Sequence, residues 1–208
     1  MLDLEVNAAL QAVAAALRTA AVPWIRDVVP SLGGVALHFD PDHPELPGAA
    51  LQAAAGLLQE AIEAADFELR GRLVEVPVCY DPEFALDIVE VAERTGIAPE
   101  DIGARHAAGE HLVLMVGFAP GQPYIGGLDP KLAVPRRASP RTRVPAGSVA
   151  IANDQSCVYP YEISGGWSVI GRTPLAAFDP AREPPSLFAP GDRVHFVPIT
   201  RSEYDRLK

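Results

Sequence analysis

Apolar positions alternate between helical and strand periods along the chain. After Asp3, Leu10, Val13, Ala14 and Leu17 fall at i, i+3, i+4 and i+7, which predicts a helix with one buried face that stops before Pro23. Two β-rich runs follow, Trp24–Val29 and Val35–Phe39, ended by Pro30 and by Asp40-Pro41 and separated by Ser31-Leu32-Gly33-Gly34, a hairpin pattern. From about Pro47 to Asp66, Leu51, Ala54, Ala55, Leu58, Ile62 and Ala65 line one side of a second helix. Leu73, Val74, Val76 and Val78 then predict a strand. The order αββαβ is that of a ferredoxin-like unit lacking its first strand, with two helices over one face of an antiparallel sheet. A sheet edge left bare in this way invites cover by another chain.

Beyond this point the pattern changes. Asp81-Pro82-Glu83 reads as a helix start, with Asp as cap and Pro at the first turn, and Phe84, Ile88 and Val91 form its stripe before Gly96 ends it. Pro99-Glu100-Asp101 starts a further short helix that delivers His106. Strand signals recur at His111–Val116, Ser148–Ala152, Trp167–Ile170 and Arg193–Ile199, spaced by turn residues. Several short strands with few helices point to a closed or nearly closed antiparallel β-barrel. The chain is therefore expected to be α+β, with a ferredoxin-like domain over 1–75 and a barrel domain over 76–208.

Between Gly117 and Arg172 glycine and proline recur every few residues, so the stretch is not helical and reads as loops and short strands on a rigid scaffold. Its charge is also distinct. The chain as a whole carries a formal charge of −10, which excludes a general nucleic-acid-binding role, because that needs a basic face to replace counterions. Lys131, Arg136, Arg137, Arg141, Arg143 and Arg172 nevertheless outnumber Asp129, Asp154 and Glu162 in the central stretch, a positive island suited to an anionic small molecule or acidic partner. For Arg141 and Arg143 a solvated surface role is equally open. Cys79 and Cys157 have no partner motif and are expected as free thiols, with neither metal nor redox chemistry indicated. No apolar run reaches the roughly 20 residues of a membrane span, and no signal-peptide pattern opens the chain, so a cytoplasmic location is expected.

The candidate chemistry lies in polar and aromatic side chains. The glycines are not followed by the Lys-Ser/Thr of a phosphate loop, and Ser148 and Ser164 lack a nucleophile elbow, so neither a self-sufficient nucleotide site nor a nucleophilic triad is indicated. His106 stands either as an acid, base or hydrogen-bond donor or as a structural histidine. Tyr124, Arg136, Arg137, Gln155, Tyr159, Trp167 and Arg172 form the remaining constellation. Arginine forks hold carboxylates or phosphates, glutamine reads an amide from both ends, and aromatic rings wall a small planar group. Together they suit a small amide-containing acid, with plugging of the barrel as the alternative role for Trp167.

At these residues the chain resembles a known family: the 5-oxoprolinase B-subunit group, also called allophanate hydrolase subunit 1 or the kinase A inhibitor (KipI) family. The resemblance rests on Val76-Pro77-Val78-Cys79-Tyr80, Gly117-Phe118-Ala119-Pro120-Gly121, Gly126-Gly127-Leu128-Asp129, Pro135-Arg136-Arg137-Ala138-Ser139-Pro140-Arg141, Val144-Pro145-Ala146-Gly147-Ser148 and Gly165-Gly166-Trp167 through Thr173-Pro174. It implies a ferredoxin-like domain followed by a cyclophilin-like barrel. It also implies one component, inactive alone, of an ATP-dependent 5-oxoprolinase or related amide hydrolase. Its partners would be a 5-oxoprolinase C subunit (allophanate hydrolase subunit 2) and a third, ring-opening subunit, with ATP as co-substrate of the assembly and no cofactor held by this chain alone. Inhibition of a sensor histidine kinase, or a carboxyltransferase part of a urea-carboxylase-like enzyme, are the alternatives it carries. Matched position by position, His106, Arg136 and Gln155 are the implied catalytic residues. Arg172 is implied for the substrate, beside Tyr124, Tyr159 and Trp167 from the constellation above, and no metal is implied. Gln122 and the run Asn153–Cys157 depart from the usual family pattern.

Overall fold

The computed structural model describes residues 3–65 and 71–208, and the chain divides into two compact units that meet in sequence at Gly71. The elements are α1 (Leu4–Ala20), β1 (Ile25–Pro30), β2 (Val35–Phe39), α2 (Ala50–Ala64), β3 (Leu73–Val78), α3 (Ile88–Thr95), α4 (Pro99–Ala107), β4 (His111–Val116), β5 (Pro123–Gly126), β6 (Arg141–Val144), β7 (Ser148–Ala152), β8 (Gln155–Val158), β9 (Ile163–Gly165), β10 (Ser168–Arg172), β11 (Arg193–Pro198) and α5 (Arg201–Leu207), with one 3-10 turn at Pro130–Leu132.

In the N-terminal unit Asp3 caps α1, its carboxylate accepting from the N–H groups of Glu5 and Val6. Val13, Ala14 and Leu17 bury the predicted face against Val28 of the β1–β2 hairpin and Ala61 of α2. The face of α2 differs from the expected one. Leu51 is 78% exposed and Ile62 54%, while Leu57, Leu58, Ala61 and Ala65 turn to the core. Alanines surround this helix, so its apolar period does not choose a side, and packing against α1 decides it. The first strand, expected to be missing, would precede α1, at positions outside the described residues.

The strand expected to complete the N-terminal unit belongs instead to the second. β3 runs parallel to β11, from Leu73 opposite Arg193 to Val78 opposite Pro198, so the boundary expected near residue 75 would cut through a barrel strand. Arg72 fixes its start: the guanidinium and backbone N–H both bond the buried carboxylate of Asp192, and Val76 and Val78 are fully buried in the barrel core. The sheet order is β10-β7-β8-β5-β4-β11-β3. Paired backbone hydrogen bonds of 2.9 Å between Cys79 and Arg172 join the two ends, so the sheet closes as a barrel in which β3–β11 is the parallel pair.

Alternation along each strand separates two apolar sets. Ile125, Val149, Ile151, Val158, Ile170 and Phe196 fill the main core, which also takes Ile88, Val91 and Ile102 from α3 and α4. Ala150, Ala152, Cys157 and Val169 point the other way, into a second cluster with Val144, Tyr159 and Trp167 beside the β6–β9 ribbon. The expected start of α3 is also revised. Residues 82–84 form a turn closed by Phe84 and Ala85 N–H bonds to the Asp81 carbonyl, and the helix begins only at Ile88.

Candidate active site

The outer cluster gathers most of the residues singled out from sequence. Tyr124 on β5 lies opposite Cys157 on β8, Cys157 opposite Ala150 on β7, and Ala150 opposite Val169 on β10, one row across four strands. The Tyr124 and Trp167 rings meet edge to face, 5.7 Å between centroids, and the Arg136 guanidinium stands 5.6 Å from the centre of the Trp167 ring. Tyr159 is buried beneath them, and Gly165 lets its ring pass, because a Cβ there would lie 2.1 Å from Tyr159 Oη. Gln155 shares the face of Cys157 two residues along β8. Both cysteines are buried free thiols, and burial pushes the Cys157 thiol pKa up, which keeps it protonated and non-nucleophilic.

The segment carrying Arg136 is held on both sides. Asn153, in the left-handed conformation at the two-residue β7–β8 turn, donates its N–H to Val134 O at 2.6 Å, and Arg137 N–H donates to Gly166 O at 2.8 Å. Arg136 itself is exposed and has no ion-pair partner among the described residues, in contrast to its neighbours. Arg137 and Arg141 both bind Asp87, whereas Arg143 is 79% exposed with only Glu162 at 3.5 Å, a surface cation. An unpaired guanidinium over an indole, whose ring meets a phenol edge to face, can grip a carboxylate and stack a small planar ring.

Two of the expected residues are not brought to this face. His106 is fully buried in the barrel interior, where Nδ1 and Tyr80 Oη are 2.8 Å apart and Nε2 and Ser156 Oγ 2.9 Å apart. Desolvation, with His111 nearby, holds its pKa well below the usual histidine value, so it is a neutral imidazole. It supports β8 from behind. Gly103 permits the approach, since a Cβ there would strike the Tyr80 ring at 2.6 Å. Arg172 ends β10 at the closing seam, its guanidinium 4.8 Å from the Phe84 ring centre, roughly 16 Å along the strand from Trp167 at 3.3 Å per residue.

Sequence reasoning missed Asp87. Phe84, Asp87, Ile88 and Val91 fall at i, i+3, i+4 and i+7, and a carboxylate on an apolar stripe was the available signal. Among the described residues no cluster of histidine, cysteine, aspartate or glutamate could hold a metal ion, and no helix is long and apolar enough to cross a membrane.

Residues 1–188 match the family described as the carboxyltransferase domain, subdomain C and D. A 5-oxoprolinase B subunit of Bacillus subtilis is 38% identical over 211 residues, covering 98% of this chain and 88% of that protein, and one of Escherichia coli O157:H7 is 39% identical, covering 88% and 82%. A urea amidolyase of Lachancea kluyveri is 32% identical over 124 residues, 56% of this chain and 7% of that protein. Among solved structures, TTHA0988 superposes with a TM-score of 0.81 at 37% identity, over 96% of this chain but only 38% of its own. PH0987 of Pyrococcus horikoshii gives 0.63 at 35% identity, over 98% and 92%. With a family match over most of its residues and relatives of this identity along nearly its whole length, the chain belongs to the carboxyltransferase C and D subdomain family, among the 5-oxoprolinase B subunits.

Proposed function

We propose that this chain is the B subunit of an ATP-dependent 5-oxoprolinase, inactive alone and working with a C subunit and a third, ring-opening subunit. The observation that carries this reading is the near full-length match to a 5-oxoprolinase B subunit at 38% identity. A five-membered lactam is a poor electrophile because amide resonance must be broken, and phosphorylation of its oxygen by ATP relieves that. The site then needs a cation for the substrate carboxylate and a wall for its ring. Arg136 supplies the cation, Trp167 and Tyr124 the wall, and Gln155 an amide able to pair with the lactam, with Tyr159 backing the wall. In this reading His106 acts from behind through Ser156, fixing β8 rather than touching the substrate, and Arg172 serves the barrel seam.

Co-purified with the C subunit and the third subunit, the chain is expected to support ATP-dependent loss of 5-oxoproline. Hydrogen bonds to charged groups contribute about 1.5–3 kcal/mol, so Arg136→Ala should lower kcat/KM by roughly 10- to 150-fold with the fold intact. Full activity of Arg136→Ala would refute the site, and no turnover by the complete assembly would refute the function. The urea amidolyase match favours a second reading as a carboxyltransferase part. It requires a biotin-bearing partner, visible as biotinylated protein in a pull-down.

A further inference from the structure

The two arginines of Pro135-Arg136-Arg137 do opposite jobs. Asp87, whose side chain is 2% exposed, accepts at Oδ1 from Arg137 Nη1 and Arg141 Nη2, both at 2.6 Å, and at Oδ2 from Arg141 Nη1 and the Val169 N–H, both at 2.7 Å. A carboxylate offers about four acceptor positions, and all are filled. Asp87 sits where the N-cap of α3 would be, yet makes no cap bond, its carboxylate being turned instead onto these arginines and β10. Arg137 also donates to Glu90. Glu90 also accepts from Arg94 Nη2 at 2.9 Å, so Arg94, Arg137 and Arg141 share the carboxylates of Asp87 and Glu90, and the loop 137–141 closes on the Asp87 side chain. Arg136, adjacent in sequence, is left without an ionic partner among the described residues.

We propose that Asp87 is a positioning residue for the site. By binding Arg137 and Arg141 on one carboxylate it fixes the loop from which Arg136 reaches over Trp167, and it withdraws the two neighbouring guanidiniums from competition for the substrate. Among the described residues the site then presents one free cation, which suits a monoanion. This rests on the reading of Arg136 given under Proposed function.

The test is a double-mutant cycle on the assembled enzyme, read as KM for 5-oxoproline. Asp87→Asn keeps the size but offers N–H groups to two guanidiniums. Misplacement of a binding group by about 1 Å costs on the order of a hundredfold, so KM should rise ten- to a hundredfold, more than kcat falls. The rise should largely vanish in the Arg136→Ala background, because the two residues act on one interaction. Arg141→Lys keeps the charge but loses the fork. It should move KM the same way, and it decides the matter if Asp87→Asn does not fold. An unchanged KM in the folded variant, or effects that add in the double variant, would overturn the proposal and leave Asp87 a stabiliser of the fold. If Arg136→Ala raises KM and Asp87→Asn does not, only this inference falls. If Arg136→Ala changes nothing, both fall together.

Discussion

Acidification should destabilise the barrel before its carboxylates titrate, because its core holds neutral histidines. His106 is fully buried with both ring nitrogens engaged, and its pKa lies well below 6.5. His111, also buried and donating from Nε2 to the His106 carbonyl at 2.7 Å, is lowered too. In the unfolded chain both regain a pKa of about 6.5. The unfolded state therefore binds more protons below that value, so stability rises with pH and is lost as pH falls through 6.5. For one histidine that stays neutral when folded, the loss between pH 6.5 and 5.5 is about 1 kcal/mol, and His111 adds to it. Asp40, Glu90, Asp129 and Glu203, whose pKa values are lowered by hydrogen bonds, lose their contributions only as pH falls toward 4 and below, outside this window. The assay is urea unfolding from pH 7.5 to 5.5, followed by Trp167 fluorescence in a Trp24→Phe background, since each unit carries one tryptophan. His106→Gln should lower stability at pH 7.5, through loss of a hydrogen bond to Tyr80 or Ser156, by about 1 kcal/mol. It should also remove its share of the pH slope. A stability flat over this range, or a slope unchanged in His106→Gln, would refute the reasoning.

Gly165→Ala should lower the melting temperature of the barrel, because its Cβ would lie 2.1 Å from Tyr159 Oη. Overpacking of this kind costs about 1–3 kcal/mol, or roughly 2–4 °C per kcal/mol at this size, and Tyr159→Phe in the same chain should recover part of it in thermal melts. Asp3→Ala should destabilise the N-terminal unit by about 1 kcal/mol through loss of the α1 cap. Denaturation followed by Trp24 would detect it, and an unchanged midpoint would show the cap bonds to be worth nothing net.

Much of the architecture was legible because it depends on local rules. The 3.6-residue stripe of α1, the Pro99 start of α4, and the glycine and proline spacing from Gly117 to Arg172 each restrict the backbone whatever it packs against. The constellation of Tyr124, Arg136, Tyr159 and Trp167 was legible for a similar reason: strand alternation placed side chains on one face, and the loop motifs delivered Arg136 and Trp167 to it. Asp87 was not. Its role depends on two arginines 50 and 54 residues away and on a backbone N–H 82 residues away, none of which leaves a periodic trace.

By itself the sequence determined an α+β chain with a barrel, a positive Gly/Pro-rich stretch, and the residue types able to hold a small acid. Only the tertiary structure decided which sheet received Leu73–Val78, which side of α2 faced inward, and which members of the constellation meet. Both strand pairing and helix orientation are settled by burial against partners distant in the chain. His106 shows the consequence most directly. Its residue type allowed a catalyst or a core histidine, and the enclosing ring of Tyr80, Ser156, His111 and Phe196 determined its neutral, fully bonded state.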